Sequence, residues 1–208
     1  MSTSLHVGDL PEHVSFGDTV AIDTETMGLN PHRDRLCLVQ LSAGDDTCHI
    51  VQFRANQGVP VDYSAPNLKR LLADPAVLKL FHFARFDIAT LHRYLGVTAA
   101  PVYCTKIASK LARTYTDRHG LKDLCREFLE IDLSKQQQSS DWGASELSAA
   151  QLDYAAQDVL HLHRLKTIFD QMLEREGRRE IAEACFGFLS TRVALDLKGW
   201  PEVDIFAH

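Results

Sequence analysis

Residues 20 to 29 read V-A-I-D-T-E-T-M-G-L, and this stretch constrains the fold more than any other. An apolar run of strand length ends in polar residues and Gly28, the pattern of a buried strand closing at a turn. Strand side chains alternate between faces, so Asp23 and Glu25 point to the same side. Two carboxylates sharing one side either fray into solvent, where they cost little, or serve a metal. Further acids in matching places decide between the two.

The 208 residues are 45% hydrophobic and 24% charged, which is enough apolar material for one globular domain with a sizeable core. No stretch approaches the roughly 20 apolar residues that span a bilayer, and the N-terminus lacks a basic region followed by an apolar one. A cytoplasmic protein without membrane contact is expected. Cys37, Cys48, Cys104, Cys125 and Cys185 are odd in number, scattered, and never spaced as C-x-x-C, so buried thiols are expected rather than disulfides or structural zinc. The net charge of -6 argues against a polyanionic partner until its distribution is considered. Between Val102 and Lys122, the cations Lys106, Lys110, Arg113, Arg118 and Lys122 face Asp117 alone. Two divalent ions on four carboxylates elsewhere would offset most of the remaining negative excess.

No internal repeat, low-complexity tract or linker divides the chain. Strands are expected at about 19–23, 35–42 and 47–52 as an antiparallel meander, and at 77–83. Helices are expected at 67–73, over R-F-D-I-A-T-L-H-R-Y-L closed by Gly96, and at 105–112 and 121–129. Leu152, Ala155, Val159, Leu162, Leu165, Phe169 and Met172 form one stripe near period 3.6, which predicts a long helix over 148–175 with Ser148 as N-cap. Another helix follows Gly177, and then a non-periodic tail. A strand-rich start followed by alternation and then helices predicts an α/β fold, a central mixed sheet flanked by helices.

Two more acids stand out. Asp87 lies in the first turn of the helix after the fourth strand, a place the helix dipole favours for a carboxylate and which explains it without any function. Tyr154 and Asp158, four apart in Y-A-A-Q-D, project from one helix face one turn apart. Asp23, Glu25, Asp87 and Asp158 together supply enough oxygen ligands for two hard cations such as Mg²⁺ or Mn²⁺.

D-T-E followed by G-L, then F-D at a helix start, then Y-x-x-x-D on a late helix resembles the three motifs of the DEDDy exonucleases. These are the RNase D-like branch of the DnaQ superfamily, within the ribonuclease H-like fold. The sister branch carries a His where this chain has Asp153, so Tyr154 sets the subtype. P-H-R-D-R-L-C, C-T-K-I-A-S-K-L-A-R-T-Y-T-D-R-H-G-L, S-K-Q-Q-Q-S-S-D-W and the ending G-W-P-E-V-D-I-F-A-H narrow the resemblance to the nano-RNase C family. The resemblance extends over essentially the whole chain and implies one nuclease domain, 1–208. Residues 178–208 would serve packing or oligomerisation, and no helical nucleic-acid-binding domain would be appended.

The resemblance implies a 3′-5′ exoribonuclease that degrades short oligoribonucleotides, including dinucleotides, to nucleoside 5′-monophosphates. Asp23 would bridge two metals, Glu25 and Asp158 would complete one site, and Asp87 would support the other. Tyr154 would orient the attacking water and help deprotonate it. Leu29 would wedge against the substrate bases, and the family's rings of eight imply a homo-oligomer with Ile205 and Phe206 at an interface. Arg113, Tyr115, Arg118 and His119, with Lys135, Gln138 and Ser139, are expected substrate contacts, because Arg forks and amide or hydroxyl groups suit phosphate. Thr24 and His82 complete the set, although a structural role is the default for His82. Trimming of longer RNA, a Werner-type DNA exonuclease, and a non-catalytic nucleic-acid-binding module remain open. The absence of a G-x-x-x-x-G-K-[ST] loop argues against a nucleoside-triphosphate hydrolase.

Overall fold

The computed structural model describes residues 2–56, 58–134, 136–137 and 139–207. Strands β2 (Thr19–Thr26), β3 (Leu36–Ser42) and β4 (Thr47–Gln52) form the expected antiparallel meander. β1 (Ser2–Val7) adds in parallel to β4 at one edge. On the other side, β5 (Leu78–Phe81) runs parallel to β2, and β6 (Val102–Cys104) parallel to β5. The sheet is therefore mixed, in the order β1-β4-β3-β2-β5-β6.

Every residue of β3, L-C-L-V-Q-L-S, is buried. An antiparallel strand without an exposed face needs cover on both sides. Helices α2 (Ala84–Leu95) and α5 (Ala149–Leu160) both pack on β2 and β3. Ile22, Leu38, Leu41, Ile50, Leu80 and Phe81 are wholly buried between the layers. At about 25 cal/mol per Å² of apolar surface removed from water, side chains of this size contribute roughly 1.5–3 kcal/mol each. The remaining helices are α1 (Pro66–Ala73), α3 (Thr105–Ala112), α4 (Leu121–Leu129), α6 (Leu162–Arg175) and α7 (Arg179–Leu197).

Three features depart from the sequence expectation. The 148–175 stripe is two helices, broken at His161, because α5 lies on the sheet while α6 turns away to pack against α3, α4 and α7. The buried stripe continues through the break with Val159, Leu162 and Leu165, so periodicity carries no trace of it. β1 and β6 were not anticipated. β1 is a mostly exposed edge strand of polar composition, and β6 has only three residues. Lastly, β5 stops at Phe81, and Phe83 turns the chain into α2 with a left-handed backbone (φ 73°). That conformation is costly for a bulky residue and is held here by the surrounding fold.

The helix-end signals were legible. Ser148 caps α5 through a capping box with Gln151, and Gly96 ends α2 at φ 69°. All five cysteines are free, and four of them are buried. No helix of the described residues is long and apolar enough to cross a membrane.

Candidate active site

Asp23 and Glu25 leave β2 on one side, as alternation requires, and α5 lays Asp158 against them. One carboxylate oxygen from each of the three lies within 4.8 Å of the others. They line a cleft of about 580 Å³ together with Tyr154, Leu29 and His82. None of these carboxylates is salt-bridged to a Lys or Arg among the described residues. With no cation beside them, burial and mutual repulsion outweigh the hydrogen bonds they accept and favour the neutral acids.

The Asp23 carboxyl is held well above the usual range, first by burial, then by the charges of Asp87, Asp158 and Glu25. Burial followed by Asp158 and Asp87 pushes Glu25 up to about 9. Burial raises Asp158 to about 7. Three oxygen-bearing acids, converging without a counter-charge, fit hard divalent cations and fit no other common ligand as well.

Asp87 stands behind this trio. It is 3% exposed and accepts a 2.7 Å hydrogen bond from the Thr24 hydroxyl. Burial pushes it up to about 7, opposed by bonds from Thr24 and the Asp87 backbone. The Thr24 hydroxyl thus spends its one proton on aligning Asp87, while Thr24 itself lines the cleft. Gln40 was missed by sequence reasoning. It sits opposite Asp23 in the β2–β3 register, fully buried, and its Nε2 reaches Asp23 Oδ2 at 3.5 Å. Its signal was a lone amide in an otherwise apolar strand, L-C-L-V-Q-L.

Tyr154 is one turn before Asp158, beside Trp142, with ring centroids 5.9 Å apart. Burial, then the charges of Asp158, Glu25 and Asp23, raise its hydroxyl above the ordinary range. The phenol therefore holds its proton more tightly than an ordinary tyrosine does. Trp142 is 3% exposed, so its indole packs into the fold rather than standing free in solvent.

Leu29 is 85% exposed at the tip of the β2–β3 turn, which no core residue would be. Gly28 makes that turn possible, since a Cβ there would overlap the Asp34 carboxylate. Asp34 accepts hydrogen bonds from the Asn30 backbone at 3.0 Å and the Arg33 guanidinium, which fixes the loop.

The basic segment is placed differently from expectation. Arg113 is 1% exposed, paired with Glu127 and bonded to the Arg118 carbonyl at 2.7 Å. His119 is buried against the Ser109 hydroxyl at 2.9 Å. Both hold the segment between α3 and α4 together. Tyr115 and Arg118 are exposed, and none of the four lines the acidic cleft. Ser139 does line it, with Ser140. Lys135 and Gln138 lie outside the described residues.

Comparison with known proteins agrees with this geometry. Residues 3–174 match a family model described as 3′-5′ exonuclease. Brucella melitensis NrnC with bound Mg²⁺ is 57% identical over 100% of both chains, with a TM-score of 0.92. The chain belongs to the NrnC family of 3′-5′ exonucleases. A second NrnC structure, Brucella melitensis NrnC bound to pGG, is 58% identical, with a TM-score of 0.93, covering 100% of this chain and 99% of that one. The family's wider kin include ribonuclease D of Granulibacter bethesdensis, 37% identical over 164 residues. That match covers 76% of this chain and 38% of the relative, so the chain spans about two fifths of the curated relatives' length. Escherichia coli RNase D, at 24% identity and a TM-score of 0.72, shares the fold. NrnC membership makes the domain that of a 3′-5′ exoribonuclease, the class the motifs pointed to.

Proposed function

We propose that this chain hydrolyses short oligoribonucleotides, dinucleotides included, from the 3′ end to nucleoside 5′-monophosphates. The observation that carries this reading is the uncompensated trio Asp23, Glu25 and Asp158 in a cleft with Tyr154. The likeness to an NrnC bound to pGG, a short RNA, supports the substrate length. Mg²⁺ or Mn²⁺ would be held by Asp23, Glu25 and Asp158, with Asp87 behind them, as a pair of ions. Such ions would neutralise the acids and stabilise negative charge developing on the phosphate and the departing 3′ oxygen.

The chain's own residues do the rest. Thr24 and Gln40 hold Asp87 and Asp23 in orientation, so the ligand oxygens need no rearrangement when charge develops. Tyr154 offers a hydroxyl beside Asp158 that orients the attacking water. The water oxygen bonds to phosphorus and gives up one proton, the P–O3′ bond breaks, and the leaving 3′ oxygen takes up a proton in its place. Leu29, presented free of the core, wedges against the bases. A short substrate brings few phosphates, so gripping its ends matters more than long-range attraction, which suits an acidic protein.

The reading further comprises one nuclease domain over 1–208 acting in the cytoplasm, and a homo-oligomer, a ring of eight, using α7 and the tail around Ile205 and Phe206. Exposure of Ile205 and Phe206 at 47% and 67% supports an interface there. Turnover of a 5′-labelled dinucleotide, a longer RNA and a DNA strand tests the substrate. Preference for the longer RNA or for DNA would replace this reading, and activity that survives EDTA would end it. Gel filtration at the monomer mass would remove the oligomer.

A further inference from the structure

We propose that His82 reads a ribose hydroxyl of the substrate, its Nε2 accepting the hydrogen bond that this hydroxyl donates. This rests on the reading of the cleft as an RNA-cleaving centre. Three observations support it.

The first is place. β2 and β5 run parallel with Ala21 beside Leu80, so Asp23 and His82 each follow by two residues at the same end of the sheet. His82 lines the cleft with Asp23, Glu25 and Asp158. A phosphate held at those carboxylates brings the sugars bonded to it into the same cleft that His82 lines.

The second is tautomer. Thr105 is wholly buried, and its hydroxyl donates to the Phe81 carbonyl at 3.1 Å. The same oxygen lies 2.9 Å from His82 Nδ1. Its single proton is already spent, so it can only accept from the ring, and Nδ1 must carry the hydrogen. Nε2 is then a bare lone pair, with no protein partner among the described residues. Burial, then the Lys106 charge, lowers the imidazole to about 3, so the ring stays neutral across the working range.

The third is chemistry. An ionised phosphate has no hydrogen to give and would be repelled by a lone pair. A short RNA offers donors only on its ribose hydroxyls and on base amino or imino groups. Sequence-independent cleavage needs the donor that every nucleotide carries, and that is the hydroxyl.

The test compares wild type, His82→Ala, His82→Gln and Thr105→Val on matched dinucleotides, with thermal melting to confirm folding. The substrates are all-ribo, 2′-deoxy at the 5′ nucleoside, 2′-deoxy at the 3′ nucleoside, and 3′-deoxy at the terminus. His82→Ala is expected to lower kcat/KM for the all-ribo substrate about 10–100-fold, the worth of a hydrogen bond lost in a desolvated site. One deoxy substrate should be cleaved equally by wild type and variant, and that substrate identifies the hydroxyl. His82→Gln, which keeps an acceptor oxygen, should recover part of the loss. Thr105→Val should reproduce a smaller version of it by freeing the tautomer. An equal loss on all four substrates would mean a structural role and would overturn the proposal. A loss that follows base identity, with pUU and pGG differing, would overturn it in favour of base reading. If wild type cleaves no RNA dinucleotide at all, the functional reading itself falls.

Discussion

Replacing Asp158 by Asn should stabilise the metal-free protein while abolishing its activity. Asp158 is the cleanest of the four acids to neutralise, since burial is the cause of its shift and no hydrogen-bond partner is orphaned. A tenfold change in proton affinity corresponds to about 1.4 kcal/mol, so moving a carboxyl from 3.8 to about 7 sets a ceiling of about 4 kcal/mol on the cost of its charge. Partial exposure to solvent and shared repulsion with its neighbours reduce this, and about 2 kcal/mol is the expected gain. For a chain of this size, that raises Tm by roughly 4–8 °C.

The sign follows from linkage. The folded state holds the Asp158 proton more tightly than the unfolded chain does, so wild-type stability is fully present below about pH 4. It falls as pH rises and is lost in full once pH passes about 7. The Asn advantage should therefore be near zero at pH 4 and complete at pH 8, measured by melting in EDTA. Saturating Mg²⁺ should close the gap by stabilising only the wild type, by about 2.7 kcal/mol at a hundredfold excess over Kd. No gain at pH 8, or a gain of equal size at both pH values, would refute the idea that burial disfavours the charged Asp158 carboxylate.

Tyr154→Phe should lower kcat about 100-fold with the Mg²⁺-induced rise in Tm retained, because the phenol orients water without holding the ions. A kcat near wild type would remove that role. Leu29→Ala should weaken a dinucleotide about 10–100-fold, the transfer free energy of one leucine side chain, with Tm unchanged since the residue is exposed; unaltered affinity would exclude the wedge. Arg113→Ala should cost about 2 kcal/mol or more of stability, by leaving Glu127 and the Arg118 carbonyl without their partner. The folded fraction should keep its kcat/KM, and a large fall there with Tm intact would restore Arg113 as a substrate contact.

The candidate acids could be picked out because each sits at a junction that sequence marks. D-T-E closes an apolar run at a glycine, Asp87 opens a helix, and Tyr154 and Asp158 share one helical spacing. What was not legible depended on partners distant in sequence. Arg113 sits in a locally basic stretch, and nothing nearby shows that Glu127 and Ser109 will enclose its guanidinium. Gln40 acquires meaning only when the β2–β3 register sets it beside Asp23. The helix break at His161 has no proline or glycine to announce it, because it is imposed by where α5 and α6 must pack.

The trio draws Asp23 and Glu25 from the second strand and Asp158 from the fifth helix, with more than half of the chain between them. Translation delivers these parts in order, at roughly 5–20 residues per second. A chain emerging on the ribosome thus exposes its first carboxylates seconds before α5 can dock, and during that interval it has neither Tyr154 nor the third acid. The cleft therefore cannot close on its first strands alone; it is complete only when α5 docks and brings Asp158 to Asp23 and Glu25.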